Sequence, residues 1–302
     1  MICRMCYKIV KGGFMPFEDV QDEVSERCKE FCSLIEDKLT TEIIGSKIIC
    51  FEKIASTNEF AKKIAIERYE KGEEYNGMLI IAFEQTEGKG RLGRTWHSPK
   101  GGAWLSVLLD AADWGVVQRL SMIAGIATAE TIREMGVDAK LKWPNDVIYE
   151  GKKLAGILCE TITKGEKGIA SVIGLGVNLN VHVDDFPNEI RANSISLSDI
   201  LEKELNMVGF IVSLVENIEK RYNQLLNDEW EMLTDTYSEM LETLGKEVCI
   251  DTGNEKWKGV AIDVTDIGAL VIDTPEGLVT VRSGECKHLR EVKNDIMKDN
   301  KK

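Results

Sequence analysis

The sequence predicts an α+β fold: a mixed, largely antiparallel sheet with packed helices, followed by a small β-barrel. Three observations lead there. Between about residues 78 and 180, apolar strand-like runs are joined by short turns, which favours antiparallel pairing over a βαβ repeat. Helical periodicity then occupies about 198–244, where Val208, Ile211, Val215, Ile218, Tyr222 and Leu225 mark one face and Trp230, Leu233, Tyr237 and Leu244 another. From Gly245 to Arg290 the period shortens again to strands separated by Gly-containing turns.

In chain order, residues 1–40 form an N-terminal extension. It has an irregular start at Gly12-Gly13 and then a helix whose Phe17, Val20, Val24, Cys28, Phe31 and Ile35 recur every three to four residues. Lys47–Ile54 is strand-like. Ser56-Thr-Asn-Glu59 follows as a capping box, with Ser56 bonding into the first turn and Glu59 reciprocating, and Phe60, Ala61, Ile64 and Ala65 continue the helix. Strands at Met78–Phe83 and Ala103–Leu109 flank a loop from Gln85 to Gly102. A largely buried helix spans about 116–135. Lys140–Asp146 is a short strand broken by Pro144, and Val147–Tyr149 pairs with Lys153–Glu160 across the turn at Glu150-Gly-Lys152. Ile169–Asn180 is the next strand. In the tail, Glu247–Asp251, Trp257–Val264, Ala269–Ile272 and Leu278–Val281 are strands, and residues 291–302 are a charged end.

Net charge is −13, which argues against sequence-independent nucleic-acid binding, although a nucleotide needs only a local basic patch. The sequence has no apolar run of 18 residues and no apolar signal core near the N-terminus, so a cytoplasmic protein without a membrane span is expected. Its eight cysteines are expected to be reduced there. Cys3-x-x-Cys6 with Cys28-x-x-x-Cys32 has spacing open to zinc. Cys28 falls on the apolar helix face, however, so the cysteines read as core fillers and no metal site is expected.

Chemistry concentrates in the Gln85–Gly102 loop. Gly88, Gly90 and Gly93 leave its backbone free, and Lys89, Arg91 and Arg94 make it cationic, the composition of a lid over an anionic ligand. It is neither a Walker A loop nor a dinucleotide fingerprint. Two further stretches are unusual for strands. Lys142-Trp-Pro-Asn-Asp146 gathers a cation, an amide and a carboxylate at a proline-stiffened turn. Gly174-Leu-Gly-Val-Asn-Leu-Asn180 puts glycines where something must approach the backbone. Lys153 precedes an apolar strand and is expected to point a lone ammonium inward.

Ser56-Thr57-Asn58, Gln85 with Gly88–Trp96, Lys142–Asp146, Lys153-Leu-Ala-Gly-Ile-Leu158 and Gly174–Asn178 occur in this order, and together they resemble the biotin–protein ligases over about residues 41–290. The resemblance implies a class II synthetase-like catalytic domain at 41–244 and an SH3-like domain at 245–290. It also implies a two-step reaction: biotin and MgATP form biotinyl-5′-AMP, and the biotinyl group then passes to a lysine of a biotin carboxyl carrier domain. It assigns Arg91 and Lys153 to catalysis. Ser56, Thr57, Asn58, Gln85, Lys89, Gly90, Arg91, Lys153 and Gly156 fall to biotin, and Lys89, Arg91, Lys142, Asn145 and Asn178 to ATP. Two departures stand out. The common loop has arginine where this chain has Lys89, and the two are not equivalent at a phosphate. Relatives that are also DNA-binding repressors carry a winged helix of about sixty residues, and some forty residues with one helix precede the matched region here. A repressor role is therefore disfavoured, as is the related lipoate ligase chemistry. Monomer and homodimer are both compatible with the resemblance.

Overall fold

A computed structural model describes residues 25–110 and 114–291. Its larger sheet is built from β1 (Lys47–Phe51), β2 (Met78–Ala82), β3 (Ala103–Leu109), β4 (Lys140–Lys142), β5 (Asp146–Tyr149), β6 (Lys152–Lys164) and β7 (Lys167–Val177). The strand order is β1-β2-β3-β7-β6-β5-β4, with β1 and β2 parallel and every other pair antiparallel. Around it lie α1 (Glu26–Glu36), α2 (Thr57–Lys71), α3 (Trp114–Glu134), α4 (Asn188–Arg191), α5 (Leu197–Leu201), α6 (Met207–Leu226) and α7 (Trp230–Met240).

Strand alternation divides the core in two. Leu79 and Ile81 of β2 join the cluster that holds α3, α6 and α7, whereas Met78, Ile80 and Ala82 join the cluster under α2. Burial on both faces explains why β2 and β3 read as continuous apolar runs instead of alternating ones. On α6, Glu219 is only 5% exposed, and its carboxylate accepts from the backbone N–H groups of Glu42, Ile43 and Ile44 at 2.6, 2.8 and 2.5 Å. That carboxylate fixes the turn leading into β1.

The second sheet contains β8 (Lys246–Asp251), β9 (Lys256–Val264), β10 (Leu270–Thr274), β11 (Gly277–Val281) and β12 (Glu285–Glu291), in the antiparallel order β11-β10-β9-β8-β12. The sequence indicated four of these strands. β12 escaped notice because charged Glu285, Lys287 and Arg290 interrupt any apolar run. Trp143, 1% exposed, pins the two sheets: its backbone N–H donates to Thr243 Oγ1 at 3.0 Å and its indole Nε1 to the Gly268 carbonyl at 2.9 Å. Thr243 Oγ1 also lies 3.1 Å from His288 Nε2 of β12. Having accepted from Trp143, the hydroxyl keeps its proton free to donate to a neutral His288 ring. Burial, then the nearby Lys142 and Lys246, lower the His288 pKa to about 4.

The N-terminal helix is present over Glu26–Glu36, capped by Ser25 and burying Cys28, Cys32 and Ile35. Phe17, Val20, Val24, Cys3, Cys6 and the charged end fall outside the described residues. Ser56 caps α2, its Oγ accepting from the Glu59 N–H at 3.5 Å. The reciprocal arm of the expected capping box is replaced: the Glu59 carboxylate turns outward to Lys62 and Lys89. Among the described residues no helix is long and apolar enough to cross a membrane, and no group of three or more His, Cys, Asp or Glu could hold a metal.

Candidate active site

β6 and β7 pair with Gly156 opposite Gly176 and Leu158 opposite Gly174. The glycines pave the floor of a cavity of about 510 Å³. A Cβ on Gly176 would lie 2.3 Å from Trp96 Nε1, one on Gly156 would lie 2.9 Å from Trp96 Cζ3, and one on Gly174 would lie 2.2 Å from Asn58 Oδ1. Close approach of other side chains to bare backbone is therefore what these positions require. Trp96 lies over that floor with its ring edge-to-face against Trp104 (6.4 Å between centroids), and its buried Nε1 has no hydrogen-bond partner.

One end of the cavity is polar and preset. The α2 N-terminus places Ser56, Thr57 and Asn58 there, each at most 5% exposed. Ser106 Oγ of β3 lies 2.8 Å from Thr57 Oγ1 and donates to Asn58 Oδ1 at 2.6 Å. Asn58 Nδ2 donates to the Leu158 carbonyl at 3.2 Å and to Glu160 Oε2 at 2.9 Å. Gln85 Oε1 accepts from the Thr57 N–H at 2.8 Å and hydroxyl at 3.1 Å, while its Nε2 donates to Ser98 Oγ at 2.9 Å.

The basic loop closes over this end as a small hairpin, with Gly90 N–H on the Arg94 carbonyl and Trp96 N–H on the Gly88 carbonyl, both at 2.8 Å. Its tip carries Leu92 in a left-handed conformation (φ 56°) with 68% of its surface exposed. Three cations strap the loop to three different elements. Lys89 Nζ lies 3.3 Å from Glu59 Oε1 on α2. Arg91 Nη1 donates to Asn145 Oδ1 at 3.2 Å and to the Gly284 carbonyl at 3.4 Å. Arg94 pairs with Glu285 of β12. Burial lowers the pKa of the Arg91 guanidinium, which stays charged at neutral pH.

At the other end, Lys153 Nζ is paired with Asp146 Oδ1 at 2.7 Å and stands 4.9 Å above the Trp96 ring, so the expected lone ammonium is instead an ion-paired one. The loss of apparent isolation has a plain cause: β5 and β6 are adjacent, with Ile148 opposite Lys153 and Asp146 opposite Gly156, and this brings the two charges together across the turn. Asn145 Nδ2 donates to the Ile157 carbonyl at 2.6 Å. Asn178 Nδ2 donates to the Ile195 carbonyl at 3.0 Å, and its buried Oδ1 has no partner.

The cavity is lined by Ser56, Thr57, Asn58, Gln85, Lys89, Gly90, Arg91, Lys142, Asn145, Lys153, Gly156 and Asn178, so every residue singled out from sequence reaches the same space. Sequence reasoning gave no role to Trp96 and left Asp146 without one. It also missed Gly284–Lys287, which enter from the second sheet. The Trp96 signal was its place at the end of the basic loop. The segment at 284–287 carried none, because nothing local ties it to a loop 191 residues earlier. Cys286 there is an inert thiol, its pKa pushed up to about 12 chiefly by burial.

Six cations lining a cavity with a glycine floor can gather two anions and shield a reactive mixed anhydride of them from water. Comparisons with known proteins agree with that arrangement. Residues 50–178 match the biotin/lipoate A/B protein ligase family, and residues 243–289 match the biotin protein ligase C-terminal domain. The bifunctional ligase/repressor BirA of Bacillus subtilis is 30% identical over 252 residues, 82% of this chain and 76% of that one. The biotin–[acetyl-CoA-carboxylase] ligase of Mycobacterium tuberculosis is 32% identical over 230 residues, 72% of this chain and 82% of its own length. Among solved structures, the biotin protein ligase of Aquifex aeolicus in complex with biotin and ATP superposes with a TM-score of 0.69 at 27% identity, covering 82% of this chain and 100% of that one. One match covers the strands that build the cavity and the other the sheet that closes it: the chain belongs to the biotin protein ligase family.

Proposed function

We propose that the chain activates biotin with MgATP and transfers it to a lysine of a biotin carboxyl carrier domain. Convergence of the basic loop, the preset polar end and the glycine floor on one cavity carries this reading. The α2 end, with Ser56, Thr57, Asn58 and Gln85, takes the ureido ring of biotin, and the space beside Gly156 takes its flat body. The biotin carboxylate then lies toward Lys153. Lys142, Asn145 and Asn178 face the nucleotide, where the unpartnered Asn178 Oδ1 can accept a hydrogen bond.

In the first step a biotin carboxylate oxygen attacks the α-phosphorus of MgATP. The new P–O bond forms as the bond from the α-phosphorus to the bridging oxygen breaks, and pyrophosphate leaves; a magnesium ion arriving with ATP would offset part of its charge. Lys153 and Arg91 sit where negative charge accumulates, and Lys89 covers the anhydride against water. In the second step a neutral lysine amine of the carrier attacks the acyl carbon, AMP departs with the bonding pair, and the amine's surplus proton passes to solvent. Asp146 holds the Lys153 ammonium in place until the anionic substrates compete for it.

Biotin-dependent exchange of labelled pyrophosphate into ATP, followed by labelling of a carrier domain, tests the reading. Absence of both with magnesium present removes it. Exchange supported by lipoate in preference to biotin would move the assignment to the sister chemistry.

A further inference from the structure

The Lys89 strap does not end at Glu59. Glu59 Oε1 also accepts from Lys62 Nζ at 2.9 Å, and the same ammonium donates to Glu160 Oε1 at 2.6 Å. The second oxygen of Glu160 accepts from Asn58 Nδ2 at 2.9 Å. A continuous line of alternating charge thus runs from the lid, along the outer face of α2, to an amide that lines the cavity. The inner members are partly shielded, with the side chains of Lys62, Glu59 and Glu160 26%, 34% and 27% exposed, while that of Lys89 is 49% exposed.

The geometry constrains both ends of this line. At the cavity end, Glu160 can only accept, so it forces Asn58 to present Nδ2 to it and Oδ1 to Ser106; a flipped amide would set Oδ1 against a carboxylate. At the lid end, Arg91 and Arg94 are tied toward β12 and the β4–β5 turn, leaving Lys89 as the loop cation fastened to α2. Hydrogen bonding from Lys62 keeps the Glu59 carboxyl below its ordinary pKa despite opposing burial, with Lys89 adding to the effect.

We propose that Glu59, Lys62 and Glu160 are positioning residues for biotinylation, holding Lys89 down over the adenylate and setting the orientation of Asn58 from outside the cavity. The proposal rests on the functional reading above. It also gives the lysine at position 89 a mechanical partner: the ammonium is fixed by Glu59 in addition to anything it offers a phosphate.

The test measures release of biotinyl-adenylate from the enzyme and the KM for biotin. Glu59→Gln should speed release by about threefold to fivefold, the size of one partly exposed ion pair. The rate of the first step at saturating substrates should change less, and the melting temperature should fall by no more than about 4 °C as the Lys62 pair and the first-turn charge of α2 are lost. In a Lys89→Met background the Glu59→Gln change should have no further effect. Wild-type release should accelerate with salt, and Glu59→Gln release should do so less. Glu160→Gln should instead raise the KM for biotin while leaving that for ATP unaltered, and Glu160→Asp should restore part of it. Release from Glu59→Gln at the wild-type rate, or effects of Glu59 and Lys89 that simply add, would overturn the proposal. Failure of the wild-type chain to form any adenylate would instead overturn the functional reading.

Discussion

Gly176→Ala puts the cavity floor to the sharpest test. The added Cβ would lie 2.3 Å from Trp96 Nε1, 2.6 Å from Cε2 and 3.0 Å from Cζ2. Ordinary contact between such atoms is about 3.5 Å, so the ring must retreat by roughly 1 Å or β7 must bend. Trp96 cannot sink further, because Trp104 already backs it. Crowding of this kind costs about 1–3 kcal/mol. In the free protein the loop can give way, and alanine suits a strand no worse than glycine, so stability should move little. With biotin held under the lid the loop can no longer give way, and the full cost should appear as a biotin Kd about tenfold to a hundredfold higher by titration calorimetry. Trp96→Ala should weaken binding by itself, and the double variant should be less impaired than the two single effects combined, because the methyl then meets open space. A Gly176→Ala protein that binds biotin within twofold of wild type would refute the close approach of Trp96 and ligand to this floor.

Further outcomes follow from the same geometry. Lys153→Ala should reduce pyrophosphate exchange by about a hundredfold or more while leaving the circular dichroism spectrum intact, since it removes a cation from the reacting phosphate; near-normal exchange would take Lys153 out of the chemistry. Glu219→Ala should destabilise the fold by about 3 kcal/mol or more in urea unfolding, because three backbone N–H groups lose their acceptor together. His288 links stability to pH. Its folded pKa of about 4 lies below the ordinary 6.5, so the unfolded chain takes up the proton first. The stabilisation is therefore complete above about pH 6.5 and drains away as pH falls toward 4, by on the order of 2 kcal/mol once screening at a half-buried ring is allowed for. His288→Gln should flatten that part of the unfolding profile, and an unchanged slope would show that His288 titrates normally.

Much of this was legible in the sequence where a residue's role is local. Apolar runs at β2 and β3, the turn at Gly151 and the 3.6-residue stripe on α6 each announce themselves within a dozen positions. The site residues were legible too, because glycine inside a strand and arginine on a glycine loop are costly choices that need a reason. Illegible features depended on distant pairings. Lys153 looks alone in sequence and is paired with Asp146 only because β5 lies beside β6. Glu59 has the spacing of a capping partner and goes to Lys62 and Lys89 instead, since a lysine one turn along the helix and another on the lid compete for it. β12 is hidden because charged Glu285, Lys287 and Arg290 leave it no apolar run, and half of its purpose is to close a cavity formed elsewhere.

That last closure has a temporal side. The Arg91 and Arg94 straps reach Gly284 and Glu285, which lie 193 and 191 residues further along the chain. On a ribosome, the strands that would bind biotin and ATP emerge long before the residues that fasten the lid. A partly synthesised chain therefore carries its floor strands without the residues that hold the loop shut. An enzyme whose intermediate would acylate any nearby amine gains from that order of events: its containment is assembled last, and a truncated product lacks the latch that would let it retain what it makes.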